Sequence, residues 1–421
     1  MIFFKNIKIK DKTSMENSQA FCMLPWVHLY INTQGKVTPC CLSPWDEDKV
    51  LGDINEQPLE KIWNGKKMME IRSKMLRDKK NDGCRQCYEN EKSGLRSKRE
   101  ISNFCYQHKL GWVQSTKKNG YSTEAKPIYW DIRISNLCNF KCRICGHHSS
   151  SKLYDEAKTL GELSFPERVH YSMKDFDRAM GQLQPVVPFL EEIYFAGGEP
   201  LIMEEHYQIL DMLIAHKKFD VKLRYATNFS TTVFKGRDVF ELWNNFTEVF
   251  VHASLDGSHE KGEYQRKGQV WDNVLQERRR MLEVCPQVNF MICSATSVFN
   301  VLHLPEFHKE WTENGLVAAD DFMPHTLKNP AVYNIKILPP AMKQKVQQLY
   351  QEHIKWLKTF PHEDFIKIEM VVLEFEGIVS YMNSEDWTHL IPAFREKCEL
   401  LDNMRMEKTI EVFPELEEIL I

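Results

Sequence analysis

The chain has no apolar run long enough to cross a bilayer, which excludes a membrane-spanning helix at the sequence level. Its first residues, MIFFKNIKIKDKTSMENS, contain neither a sustained apolar stretch nor a small-residue cleavage site. A secretory leader is therefore not expected, and the expected location is the cytoplasm. Charge of one sign is also lacking: the net charge is -4 over 421 residues. Nothing global points to nucleic acid or to an anionic membrane. No internal repeat or low-complexity segment is present. What remains is an ordinary soluble composition, 43% hydrophobic and 27% charged, long enough for two or three domains.

Cysteine, by contrast, is abundant, with twelve residues. A chain this long needs no disulfide staples, and the expected compartment is reducing. Seven of the twelve fall into two metal-like spacings. The other cysteines with no partner in sequence, Cys105, Cys285, Cys293 and Cys398, are expected to be small core hydrophobes.

Residues 1–20 read as a loose polar arm, and residues 21–100 as a small Cys-rich α+β module. In it, VHLYINTQGKVTPCC alternates around Gln34-Gly35 and predicts a short hairpin. Pro58 suits the first turn of a helix whose Leu59, Ile62 and Trp63 share a face. Residues 65–100 carry 12 Lys/Arg against 6 Asp/Glu. They predict a solvated helical face or a basic surface for an acidic partner. Residues 101–127 read as a polar connector. Strands are then predicted at 128–135, 192–196, 222–227, 248–255, 289–296 and near 318–323, with helical patterns between them. Repeated βα units argue for an α/β fold with a parallel sheet or barrel over 128–330. Residues 331–421 predict a helical C-terminal extension.

The segment SNLCNFKCRICGHH follows the first of those strands and spaces Cys138, Cys142 and Cys145 as C-x3-C-x2-C. A cubane iron–sulfur cluster normally takes four thiolates, so three local ones leave one iron open. The same spacing also fits three zinc ligands completed by His147 or His148. FAGGEP places Gly197, Gly198 and Glu199 at the end of the second strand. Glycines there let the backbone approach a ligand closely, and a carboxylate accepts charge-assisted hydrogen bonds. HASLDG puts Ser254 and Asp256 on one face at the end of the fourth strand. Thr227, Asn228, Thr296 and Asn300 end later strands, where barrel ligand sites are built. His252 lies two residues before Ser254 and is read as a core histidine or as a weak proton-transfer candidate. Asp131 and Arg133 share a face of the first strand, as a buried ion pair or a substrate contact.

Together these motifs resemble the radical S-adenosylmethionine (SAM) superfamily. That resemblance implies a partial (β/α)6 barrel, a [4Fe–4S] cluster on Cys138, Cys142 and Cys145, and SAM bound at the open iron. It implies reductive cleavage of SAM to a 5′-deoxyadenosyl radical that abstracts hydrogen from a substrate. Glu199 would accept from the SAM ammonium, Ser254 and Asp256 would contact ribose, and Arg266 would meet the SAM carboxylate; a surface salt bridge is the other reading of Arg266. Ile144 departs from the family's frequent aromatic beside adenine. The N-terminal set of Cys22, Gly35, Cys40 and the pair Cys84/Cys87 resembles the twitch module, a shorter relative of the SPASM domain, placed here before the barrel. It implies a closed auxiliary [4Fe–4S] cluster for electron transfer, although zinc fits the same four thiolates. Cys41 competes with Cys40, and the Gly35 spacing favours Cys40. The partners implied are an electron donor such as flavodoxin or ferredoxin, and a peptide, protein or small sugar or alcohol as substrate. A zinc-stabilised binding protein is the reading from another class.

Overall fold

The computed structural model describes residues 18–92, 97–360 and 365–421. Most of the polar arm lies outside them. The described chain divides into two compact units: the part up to Ile134 with Tyr171–Ile193, and Ser135–His170 with Tyr194–Ile421. Residues 128–134, expected at the start of the core, thus belong with the Cys-rich module.

In the first unit, β1 (His28–Ile31) and β2 (Lys36–Thr38) form the expected antiparallel hairpin. Asn32 shapes its turn, its carboxamide oxygen accepting from the backbone N–H groups of Gln34 and Lys36. Gly35 sits at φ 81°, the left-handed region that glycine enters without strain. A short β3 (Gly52–Asp53) extends the hairpin along β2. On its other side β1 pairs in parallel with β4 (Tyr129–Ile132), Tyr30 opposite Asp131. Pro58 immediately precedes the helix Leu59–Trp63, which buries Leu59, Ile62 and Trp63 as predicted.

The basic stretch is not simply a solvated face. Arg72 is fully buried, stacked over Trp63 and donating to the carbonyl of Pro25. Arg99 is buried and pairs with Glu91. The helices Lys98–Cys105 and Leu110–Gln114 occupy part of the connector at 101–127. The first is held by a capping box between Ser97 and Glu100.

In the second unit, β5 (Lys141–Cys142) lies at the cysteine motif. The strand β6 (Glu192–Phe195) runs across the division between the units. Next come β7 (Lys222–Thr227), the small hairpin of β8 (Val233–Phe234) and β9 (Arg237–Asp238), and β10 (Val249–Ala253). β11 (Arg266–Lys267), β12 (Asn289–Thr296) and β13 (Phe322–Thr326) complete the set. β7, β10, β12 and β13 form a parallel array in that order. The last strand falls a few residues after its expected position near 318–323. Burial alternates along β7 and β12, the period of a sheet with one face packed. The expected helical extension is found as Pro340–Leu357, Phe365–Asn383 and Ile391–Arg405. The second of these joins the core through Phe375, which stacks with Phe322 of β13. Among the described residues no helix is long and apolar enough to cross a membrane.

Candidate iron–sulfur and SAM site

The loop after β4 is shaped by a residue that the motif reading passed over. Asn136 is buried, and its side chain donates to the carbonyls of His147 and Arg168 and accepts from the N–H of His170. It fixes both ends of the cysteine loop. Ser150 donates to the carbonyl of Phe140 at 2.6 Å, and Ser151 accepts from the N–H of Cys138. β5 pairs antiparallel with β11, setting Cys142 opposite Arg266. Cys138 and Cys142 are buried with Phe140, Ile144 packs against them, and Cys145 is exposed. His147 is committed elsewhere, its ring between Tyr154 and Phe165.

Glu199 comes into the same neighbourhood. Its N–H donates to the carbonyl of Leu137, one residue before Cys138. Its carboxylate accepts from Thr227 Oγ1 at 2.7 Å, the N–H of Asn228 at 2.6 Å and the N–H of Leu201. Three donors leave one lone-pair direction of a carboxylate open. Burial pushes Glu199 up to about 7, against the pull of those hydrogen bonds and of Arg266. Asn228 also donates to Asn139, inside the cysteine motif, so the strand end and the loop are one network.

Gly198 explains the glycine pair. It sits at φ 55°, and an added Cβ would lie 2.2 Å from the carbonyl oxygen of Leu137 and 2.9 Å from that of Ser135. Both obstacles are backbone of the cysteine loop. Gly198→Ala is therefore expected to destabilise the chain by about 2 kcal/mol or more and to loosen this loop; thermal unfolding with iron uptake checks it.

Arg266 is not at the surface. It is buried, its Nε 2.8 Å from Asp256 Oδ2 and its Nη1 3.8 Å from Cys142 Sγ. Burial opposes its charge, but Asp256 and Cys142 outweigh that effect and keep it protonated. Asp256 also accepts from the N–H of Ala295, and Asn300 donates to the Asp256 carbonyl. Asp256 thus ties the end of β10 to β12 and to Asn300. Ser254 is half-buried, with its N–H on the carbonyl of Thr227. Thr296 is buried at the end of β12. His252 is half-buried on β10, and burial, with Arg224 and His325 nearby, lowers it to about 4. It is therefore neutral at pH 7, one ring nitrogen an N–H donor and the other an acceptor.

The first unit gathers the other set. Cys22, Cys40, Cys84 and Cys87 line one cavity with Leu24, Leu42 and Lys98. Asn81 caps the turn Asp82–Cys84, which runs into the helix Arg85–Lys92 and brings Cys84 and Cys87 together. Cys41 is not on that lining; its Sγ takes a hydrogen bond from Lys98 Nζ at 3.0 Å. Cys40, of the two neighbours, is the one on the cavity lining. Burial, then Cys84, with Cys40 and Cys87, pushes the Cys22 thiol well above its usual range. Two buried thiols, Cys22 and Cys87, and two half-buried ones, Cys40 and Cys84, gathered on one cavity fit a cationic centre. Every cysteine is free. Among the described residues no three His, Cys, Asp or Glu converge as one metal ion requires. A cubane asks for no such convergence, because each thiolate takes its own iron. Of the two readings of Asp131 and Arg133, the ion pair is present, Oδ1 to Nε at 2.9 Å. Of the leftover cysteines, Cys285 and Cys398 are core residues, whereas Cys293 is half-buried and Cys105 is exposed, against expectation.

Fold and site thus define an α/β protein with two cysteine sets suited to iron–sulfur clusters, one beside a glycine–glutamate strand end. The chain carries a radical SAM superfamily domain, matched by that family's model over residues 132–313. A second model, the iron–sulfur cluster-binding SPASM domain, matches residues 22–88, so that domain here precedes the core. The two domains imply a [4Fe–4S] cluster, SAM and auxiliary iron–sulfur binding, which replaces zinc as the reading of the N-terminal set. Among curated proteins, the chain is 24% identical over 165 residues to a 7,8-dihydro-6-hydroxymethylpterin dimethyltransferase of Methanocaldococcus jannaschii. That match spans 39% of this chain and 28% of the relative's length. Among solved structures, anSMEcpe with bound AdoMet and Cp18Cys peptide is similar at TM-score 0.38 and 17% identity, over 54% of this chain and 59% of that one. Streptococcus suis SuiB bound to precursor peptide SuiA is similar at TM-score 0.39 and 15% identity, over 69% and 64%.

Proposed function

We propose that this radical SAM enzyme modifies or oxidises an unactivated C–H position of a peptide or protein. The observation that carries the radical step is the single network joining the Cys138/Cys142/Cys145 loop to Glu199 and Arg266. When bound, a [4Fe–4S] cluster with one open iron supplies the electron that cleaves SAM to a 5′-deoxyadenosyl radical. Cys138, Cys142 and Cys145 would hold it. Glu199 would accept from the SAM ammonium, Arg266 would face its carboxylate, and Ile144 would pack on adenine. Cys22, Cys40, Cys84 and Cys87 would hold the auxiliary cluster and let the substrate radical pass on an electron, making the net reaction an oxidation. An electron donor such as flavodoxin or ferredoxin would supply the first electron. The peptide preference rests on the separate Cys-rich module and its basic residues. Deuterated candidate peptides, sugars and alcohols test it: deuterium in 5′-deoxyadenosine from a sugar or alcohol, and from no peptide, would refute the peptide reading.

Glu199 gives a pH test. Its folded pKa is raised, so its stabilising effect is complete below about 4.5, the ordinary carboxyl value, and is lost as pH rises through about 7. An ammonium ligand reverses the preference by favouring the ionised form. SAM affinity should rise with pH across that window. Glu199→Gln should weaken SAM binding roughly tenfold to a hundredfold and flatten that rise, as read by equilibrium binding.

A further inference from the structure

The cysteine loop is gripped from an unexpected direction. Arg143 lies between two of the three cysteines, and its side chain is completely buried. Its Nη2 donates to Asp402 at 2.6 Å and to Glu407 at 2.8 Å, and its guanidinium lies 3.7 Å over the ring of Tyr264. Both carboxylates belong to the C-terminal extension. The helix Ile391–Arg405 ends in Met406, a non-glycine residue at φ 55°, and this left-handed cap turns the chain back. The returning N–H of Glu407 donates to the Asp402 carbonyl, and Thr409 donates to the Asp402 carboxylate through both N–H and hydroxyl.

The same turn holds the neighbouring strand. Glu407 accepts from Lys267 Nζ at 2.8 Å, and Lys267 of β11 stands opposite Lys141 of β5. On the far side of Cys142, Lys141 meets Glu156, which is also held by Arg405 Nη2 at 2.7 Å. Three residues of the extension, Asp402, Arg405 and Glu407, therefore secure the short β5–β11 pair that carries Cys142 and Arg266. Charge-assisted hydrogen bonds of this kind fix geometry more tightly than neutral ones. Second partners behind metal ligands orient the ligands themselves.

We propose that the turn at residues 402–409 is a positioning element of the cluster site, with Asp402 and Glu407 acting through Arg143 and Lys267 to set the places of Cys142 and Cys145. The inference rests on the reading that this loop holds the SAM cluster. The extension is then part of the reaction centre's scaffold rather than an appended cap.

Hydrogen–deuterium exchange of the full-length, iron-free chain tests it, comparing wild type with the double variant D402N/E407Q. Peptides covering residues 138–150 should exchange about tenfold faster, while peptides covering β12 stay within about twofold. In the iron-loaded protein the EPR spectrum of the reduced cluster with SAM should change its g values in the variant. If the double variant does not fold, E407Q and Lys267→Met take its place, with the same outcomes expected. Unchanged exchange at 138–150, or equal acceleration at β12, overturns the proposal. Failure of wild type to take up iron would instead sink the cluster reading and leave the exchange result to decide the contact's role.

Discussion

Replacing Cys138, Cys142 and Cys145 together by Ala removes about half of the iron of anaerobically reconstituted protein and all formation of 5′-deoxyadenosine. Two cubanes correspond to roughly eight irons per chain, so the variant should retain about four. The physical basis is local. Cys138 and Cys142 are buried with Phe140, and burial pushes the Cys138 thiol up to about 12. Cys142 differs: a hydrogen bond from Cys145, with help from Arg266, lowers it below the usual thiol range. Removing the three sulfurs takes away every thiolate that the loop offers. The rest of the site should persist, because Asn136 and Glu199 hold the loop through carbonyl and amide groups that the substitution leaves in place. Iron and sulfide analysis with chromatography of the SAM products reads both quantities. Cleavage that survives the triple change would refute the site.

The second large effect separates the two cysteine sets. A Cys84→Ala/Cys87→Ala variant is expected to cleave SAM at a rate within a few-fold of wild type while product falls to background. Cys84 and Cys87 lie in the first compact unit and line one cavity with Cys22 and Cys40. Their loss should remove the other half of the iron and stop the reaction after hydrogen abstraction. The expected signature is 5′-deoxyadenosine without matching product. Full turnover in this variant would refute the electron-transfer role.

The two cysteine sets, the strand ends and the glycine–glutamate motif were legible because each depends on short-range spacing. Five of the six core strands lie within their predicted ranges, since their β-rich apolar runs are bounded by helical patterns. The last strand is shifted: the pattern near 318–323 is weak, and β13 continues to Thr326. Lys98, Arg72 and Arg99 were harder to place. A basic stretch looks solvated in one dimension, and only packing shows that Arg72 lies over Trp63.

By itself the sequence determined which atoms can ligate: three thiols on one loop, four in one module and a carboxylate after two glycines, because ligand chemistry follows residue type and close spacing. Only the tertiary structure decided what those atoms face. The parallel pairing of β1 with β4 joins segments about a hundred residues apart, and no local pattern encodes such a partner. That Cys40 lines the cavity while Cys41 meets Lys98 depends on which way each side chain turns in the folded chain. Arg143 found Asp402 and Glu407 across some 260 residues for the same reason. A buried guanidinium must be paired, but only the folded chain determines which carboxylates stand beside it.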